Sequence, residues 1–387
     1  MNRIIKNNAF FENKKNLSDF LPYIYGLLVI LKIISRSTFS FTRFASKLSD
    51  FLIVLILIIV LILVKYSLRE YLWLLIGLVI SGINFYFTKQ TDFFFIVITL
   101  FVFRKTSPRE MLKVILITTT SMLTFLFLCS KLNYITNLSF FRGNLLRQSF
   151  GTQYPLVFSA YVLCVCVCLS ILYGNGKRIE LTFLFLLIIL LLNRYTNSRN
   201  DELSILLLIL IMWVNKLPLK VQKNMTNLII GIYPLLILFS IFITNFISYS
   251  SNTYLILNKL FSGRLGLQQQ TIELYKVNFF GNVIPQNGLG GQTQNIINYF
   301  YIDNSYMRFL YMGGAVFFIF ILCTIICTLI KIKNICLVDI TLILLVICFN
   351  GITSDSFYYL NTSLLMPLFF IEVSEYLLDF KKGRKMN

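Results

Sequence analysis

Histidine is absent from this 387-residue chain, and charge is scarce, with Asp, Glu, Lys and Arg making up only 13% of it. The first absence removes the commonest general base and the commonest metal ligand together. The second removes the wetted surface that a soluble protein of this length needs, since soluble domains carry about 25% charged residues. No hydrophilic stretch is long enough for an independent soluble domain. The glycines fit neither a Walker loop nor a dinucleotide fingerprint; the run at 285–291 reads as turns. The eight cysteines lie in or at the edge of apolar blocks and form no zinc spacing. Cys164, Cys166 and Cys168 alternate with valine in mid-block and read as small apolar filler, with no disulfide framework. No metal and no cofactor are expected. There is no cleavable signal pattern, so the first apolar block reads as an uncleaved anchor.

What is present is apolar surface in blocks. Hydrophobic residues make up 57% of the chain. Residues 51–64 are uninterrupted, and 181–192 are broken only by Thr182. A span needs about 20 mostly apolar residues. The expected fold class is therefore an all-α integral membrane protein, one polytopic domain over 1–387 with about twelve transmembrane helices. The spans are expected near 20–35, 50–65, 71–87, 92–103, 112–130, 154–173, 180–193, 202–215, 226–248, 305–330, 335–350 and 360–378. The fourth is short enough to be kinked, tilted or re-entrant, and the count falls to eleven if the first block does not span. The largest hydrophilic segments are 131–153 and 249–304. In the second, Leu265, Ile272, Tyr275 and Phe279 recur at helical spacing, as in an amphipathic helix lying on the membrane or capping the bundle.

Lys and Arg in short loops set the orientation. With the N-terminus cytoplasmic, the inner segments carry 21 basic residues and the outer ones 12. Both termini are then cytoplasmic and both large loops are outside. Arg36, Arg43 and Lys47 resist this assignment. The formal charge of +19 reflects topology and contact with anionic membrane lipids, not nucleic acid.

The two basic residue types are distributed unequally. Inner segments hold 6 Arg and 15 Lys, whereas outer segments hold 7 Arg and 5 Lys. The topology rule treats the two alike, so it does not explain the difference. Arg differs in its planar fork, which grips phosphate bidentately. An outer face that binds an oxyanion, a lipid phosphate or pyrophosphate, explains it. Arg199 stands just before Asp201 and Glu202 at a helix start, where free N–H groups favour anions; equally, those two carboxylates cap the helix and pair with Arg199. Gly263 and Arg264 precede another helix start. Asp303 leads into a span with Arg308 one turn inside, either as a site or as a cap with a snorkelling arginine.

The segment 257–265, with Asn258, Ser262, Gly263 and Arg264, resembles the "lN-x-x-x-SGR-l" segment of Wzy-type O-antigen and capsule repeat-unit polymerases. Phe279-Phe280-Gly281 resembles that family's "lfG", and Asp303-Asn304-Ser305-Tyr306 its "DnsY". Upstream, Arg147 to Gly151 with Tyr154-Pro155 is similar to "R-x-s-l-G-f-x-h-P", and Asn197-Ser198-Arg199 to "gSR". The motifs occur in the family's order over about 142–310. Tyr154 stands where a His is frequent, which puts in doubt any mechanism needing that His; Asn197 replaces a Gly.

The resemblance implies a metal-independent membrane glycosyltransferase with an extracytoplasmic loop over a lipid-facing groove. It would transfer a growing glycan from undecaprenyl pyrophosphate to the non-reducing end of an incoming lipid-linked repeat unit, on the outer face of the cytoplasmic membrane. A chain-length regulator and a flippase are the protein partners it implies. Arg147, Arg199 and Arg264 would stabilise the pyrophosphate leaving group, with Glu273 and Asp303 as candidate bases. Arg142, Arg194, Ser262, Gly263, Asn304 and Tyr306 would bind substrate. Two other readings stay open. One is an O-antigen ligase-like transferase, whose usual loop His is missing here. The other is a lipid-linked oligosaccharide flippase or transporter, which would want cations inside the bundle, where Lys32 stands almost alone.

Overall fold

The structure is a computed structural model describing residues 2–142, 145–214, 216–247, 250–260, 263–288, 298–335 and 337–381. It is built of helices, with one two-stranded hairpin among the described residues. In chain order the first helices are α1 (Asn2–Ser35), α2 (Thr42–Leu63), α3 (Leu68–Thr88), α4 (Asp92–Val102) and α5 (Pro108–Lys131). The hairpin β1 (Ser139–Arg142) and β2 (Leu145–Gln148) precedes α6 (Pro155–Tyr173), α7 (Arg178–Tyr195), α8 (Arg199–Val214) and α9 (Leu219–Phe246). Then come α10 (Asn252–Leu260), α11 (Arg264–Leu274), α12 (Ser305–Tyr311), α13 (Ala315–Asn334), α14 (Val338–Thr353) and α15 (Val373–Tyr376). Among the described residues, six helices are long and apolar enough to cross a membrane: α2, α3, α5, α6, α13 and the Leu219–Ile243 part of α9. The outward faces of these helices and of α7 carry leucine, isoleucine and phenylalanine, including Ile62, Leu75, Phe183 and Leu235 at 58–73% exposure. Such surfaces suit lipid and not water.

Ten of the twelve expected spans coincide with a single helix. The fourth is α4, whose 11 residues rise about 16 Å, half of a ~30 Å hydrocarbon core. It is enclosed by protein, with Ile96 to Phe103 all buried.

Two expectations fail. The stretch 305–330 is broken into α12 and α13 at Met312–Gly314. The stretch 360–378 is not a continuous helix. Residues 362–371 form buried turns and a short 3₁₀ segment, Met366–Phe369, before α15 begins. Pro367 has no N–H to give to a helix. Irregular backbone at such depth survives only where protein satisfies it. Here side chains bond its carbonyls: Tyr161 to Asn361 (2.7 Å), Tyr25 to Leu364 (2.7 Å), Tyr376 to Leu368 (2.8 Å) and Arg104 to Phe370 (3.2 Å). Among the described residues of the large loop, helix holds over α10 and α11. It stops at Leu274, and Phe279, expected on the same helical face, lies beyond it and is 74% exposed.

The break between α12 and α13 is locked by backbone against backbone. Gly281 and Gly314 both have left-handed φ, 92° and 90°. The strand 278–282 bonds across the break, with Ala315 N–H to Asn278 O (2.9 Å) and Asn282 N–H to Tyr311 O (2.9 Å). Asn84 of α3 donates into the same joint, to the carbonyls of Phe280 (2.7 Å), Met312 (2.9 Å) and Gly313 (3.2 Å). A Cβ on Gly281 would lie 2.0 Å from Met312 O, and one on Gly314 2.4 Å from Phe279 O.

The bundle has two distinct ends. At one, Glu70 pairs with Arg104 (2.5 Å) and Lys105 (3.5 Å), and Ser107 bonds Asp379 (2.6 Å). At the other, the loop after α1 is strapped to the hairpin's exit, with Thr38 N–H to Gly151 O (2.9 Å) and Gln153 N–H to Arg36 O (2.8 Å).

Gly281→Ala and Gly314→Ala are each expected to cost about 3 kcal/mol or more, combining left-handed strain with overpacking. Gly231→Ala, in α9 with open space around it, should be neutral or stabilising. Melting temperatures in detergent check this; equal melting points for all three variants would contradict the joint.

Candidate functional site

The hairpin, the start of α8 and the start of α11 meet at the second end. Arg142 ends β1 and Arg147 lies in β2, paired across the ladder with Phe140. Asn197, with φ of 47°, turns its backbone and side-chain oxygens toward Arg142 Nη1, both at 3.1 Å. Burial, then neighbouring Arg147, Arg199 and Arg264, hold the Arg142 guanidinium below its ordinary value. Four of the arginines expected at the site are thus close enough to repel one another. Arg264 has a carboxylate partner in Asp303, and the crowding of the other guanidinium groups beside it suits an anion.

Arg147 is the most constrained of the four. It is 5% exposed, its Nε donates to Thr196 O (2.5 Å), and its Nη1 reaches the Tyr154 hydroxyl (3.4 Å). Its Nη2 is buried and has no acceptor. Arg199 opens α8 and is exposed. Of the two arrangements open for it, capping carboxylates paired with Arg199 do not occur among the described residues. Asp201 turns inward to Ser159 and to Asn350 Nδ2 (2.9 Å), and Glu202 accepts from Asn193 (3.0 Å). Arg194 is exposed and sits over its neighbour Tyr195 at 5.9 Å.

Arg264, the first residue of α11, pairs with Asp303 at 3.0 Å. Gly263 precedes it in the left-handed conformation, φ 85°, with open space around it. Ser262 lies outside the described residues. Glu273 is exposed, nine residues further along α11 and therefore about 13 Å from Arg264 along its axis. Asn304 and Tyr306 hold structure. The Asn304 side chain caps α12, accepting from the N–H groups of Tyr306 (2.9 Å) and Met307 (3.1 Å). The Tyr306 hydroxyl is buried between Tyr233 and Cys348 O (2.8 Å).

Asp303 and Arg308, neighbours in sequence, take different partners. Arg308 is fully buried and donates to Ile302 O (2.6 Å) and the Tyr359 hydroxyl (2.7 Å), with Asp355 at 3.5 Å. Its guanidinium lies over the rings of Tyr301 (4.5 Å) and Tyr359 (4.8 Å). The Tyr301 hydroxyl donates to Asp355 at 2.5 Å. Burial and that carboxylate push the phenol well up, so it stays protonated. Arg36 joins the group, 4.5 Å over the Tyr359 ring. Its place beside Asp355 and Tyr301 puts the loop after α1 at the same end as the other candidates.

Asp355, Tyr301, Tyr359 and Arg36 were not singled out from sequence. Asp355 stands in no motif that would mark it. Arg36 was read as an anomaly of topology. Tyr299, 43% exposed, stands within electrostatic reach of Asp303, Tyr154 and Arg264.

No cluster of His, Cys, Asp or Glu suited to a metal occurs among the described residues. The arrangement sets a group of arginines beside a half-buried carboxylate, a chemistry that suits an anion. Comparison of the chain with protein-family models, with curated proteins and with solved structures finds no match.

Burial and neighbouring Asp355 push Asp303 above the usual carboxylate range, although Arg264 and Arg308 pull the other way. As pH falls through that raised value, Asp303 takes a proton and ceases to neutralise Arg264. Affinity for sulfate, a dianion throughout this range, should therefore rise as pH falls. Asp303→Asn should bind sulfate with no such pH dependence. Titration of the reconstituted protein from pH 8 to pH 5 checks it, and a flat wild-type profile would sink it.

Proposed function

We propose that the chain polymerises lipid-linked oligosaccharide repeat units on the outer face of the cytoplasmic membrane. A growing glycan passes from undecaprenyl pyrophosphate to the non-reducing end of the incoming lipid-linked unit. The single observation that carries this is the gathering of Arg147, Arg199 and Arg264, from three separated stretches of chain, about Arg142, with a buried unsatisfied donor on Arg147. Three of the motifs behind the family resemblance contribute Arg147, Arg199 and Arg264. The excess of Lys in the opposite loops supports the outer placement.

In this reading the acceptor hydroxyl attacks the anomeric carbon and the carbon–oxygen bond to pyrophosphate breaks. Negative charge develops on the leaving pyrophosphate, where preorganised guanidinium groups in a low-dielectric site stabilise it. The hydroxyl proton goes to Asp303, whose raised pKa suits a general base. Glu273 is too exposed and too far from Arg264 to share the role. Tyr154, in place of a frequent His, holds Arg147 and needs no proton transfer. The lipid carrier stays in the membrane beside the site, and no nucleotide sugar is consumed.

Deleting the gene should leave a single repeat unit on the lipid acceptor. Long chains stranded on the carrier would indicate a ligase, absence of both species a flippase, and persisting long attached chains would refute the proposal. Arg147→Lys keeps the charge but loses the fork. It should cut polymerisation at least tenfold at unchanged membrane abundance; full activity would remove Arg147 from the mechanism.

A further inference from the structure

Lys32 lies in the last turn of α1 and Arg36 just past its end, four positions on, so both side chains leave on one side. Lys32 is 4% exposed, and its Nζ is buried without an acceptor. It lies over the Tyr25 ring at 5.5 Å, a contact that does not replace hydrogen bonds. Arg36 Nε is likewise buried and unsatisfied. A buried ammonium or guanidinium donor with no acceptor is among the costliest groups a bundle can hold. Here there are two, one helical turn apart.

They face two carboxylates. Asp50 of α2, half-buried, is within electrostatic reach of Lys32 and of Asp92. Asp92 opens α4, is exposed, and accepts from the Tyr358 hydroxyl at 3.2 Å. It is within reach of Arg36 and Arg308. No ion pair within 4.0 Å joins Lys32 or Arg36 to a carboxylate among the described residues. With Arg308 beside Asp92 and Asp355 beside Arg36, three cations and three carboxylates sum to zero, so the corner suits neither a bare anion nor a bare cation. It suits an uncharged ligand whose groups both donate and accept, which is the chemistry of sugar hydroxyls. Arg36, stacked on Tyr359, joins this corner to Arg308 and Asp355.

We propose that the corner between α1, α2 and α4 is a saccharide subsite, where Lys32 Nζ and Arg36 Nε donate to sugar hydroxyls and Asp50 and Asp92 accept from them. The ligand class rests on the lipid-linked oligosaccharide reading. The subsite holds the glycan, while the arginines of the hairpin, α8 and α11 hold the phosphates.

The test uses the full chain in lipid nanodiscs and two probes. One is the repeat-unit oligosaccharide freed of lipid and phosphate by mild acid from the host's own precursor; the other is inorganic pyrophosphate. Lys32→Met should weaken oligosaccharide binding at least tenfold and leave pyrophosphate binding within twofold. Its melting temperature should hold or rise, because an apolar chain replaces an unsatisfied buried charge. Asp50→Asn should weaken the oligosaccharide at least threefold. Unchanged oligosaccharide affinity in Lys32→Met, or none in the wild type, overturns the proposal. So does loss of pyrophosphate binding alone, which would make the corner an anion site. The gene deletion reads the polymerase assignment separately. A Lys32-dependent oligosaccharide affinity in a strain whose deletion leaves long attached chains would keep the subsite and discard the polymerase.

Discussion

The buried guanidinium of Arg308 is the constraint on which the candidate-site end of the bundle depends. A charge at 0% exposure inside an apolar bundle persists only if other groups compensate it. The chain does so from three directions: the Ile302 carbonyl and the Tyr359 hydroxyl accept from Nε and Nη1, and the Asp355 carboxylate stands 3.5 Å from Nη2, which has no hydrogen-bond acceptor. Each contact fixes a segment. Ile302 sets the approach to α12 and leaves Asp303 turned to Arg264. Asp355 starts the irregular stretch after α14. Tyr301 and Tyr359 close over the guanidinium as rings and, through Tyr359, extend the group to Arg36.

Much of the fold was legible because lipid imposes a simple rule on composition. Long apolar blocks announce α2, α3, α5 and α6, and those helices are where expected. The failures share a cause. Residues 362–371 and the break at Gly313-Gly314 are buried in protein and not in lipid, so their backbone is satisfied by tyrosine hydroxyls and by Asn84. An apolar run in sequence looks the same whether it faces lipid or a neighbouring segment. Hydropathy therefore continued the helix through Pro367 and through two glycines, where the local chemistry already argued against it.

The candidate site was legible in part for a different reason. Arginine in place of lysine is a chemical choice, and it pointed to Arg142, Arg147, Arg199 and Arg264, which the fold gathers. The carboxylates carried no such mark. Glu273 was preferred for sharing a loop with Arg264, but a helix carries it away from that residue. Asp303 was tied to Arg308 by proximity in sequence, and the fold exchanges their partners. Asn304 and Tyr306 sit in a suggestive motif yet are used as a helix cap and an interhelical hydroxyl. Such roles depend on which distant segment arrives, and no local pattern records that.

The joint of Gly281 against Met312 and Gly314 against Phe279 has a mechanical meaning. Contacts between side chains yield by changing rotamer, but backbone atoms held near contact have no rotamer to change. The strand 278–282, α13 and, through Asn84, α3 are thereby welded into one body. The large loop therefore reaches α12 and α13 from a fixed support, while Arg264, preceded by Gly263 in open space, is not itself part of that weld.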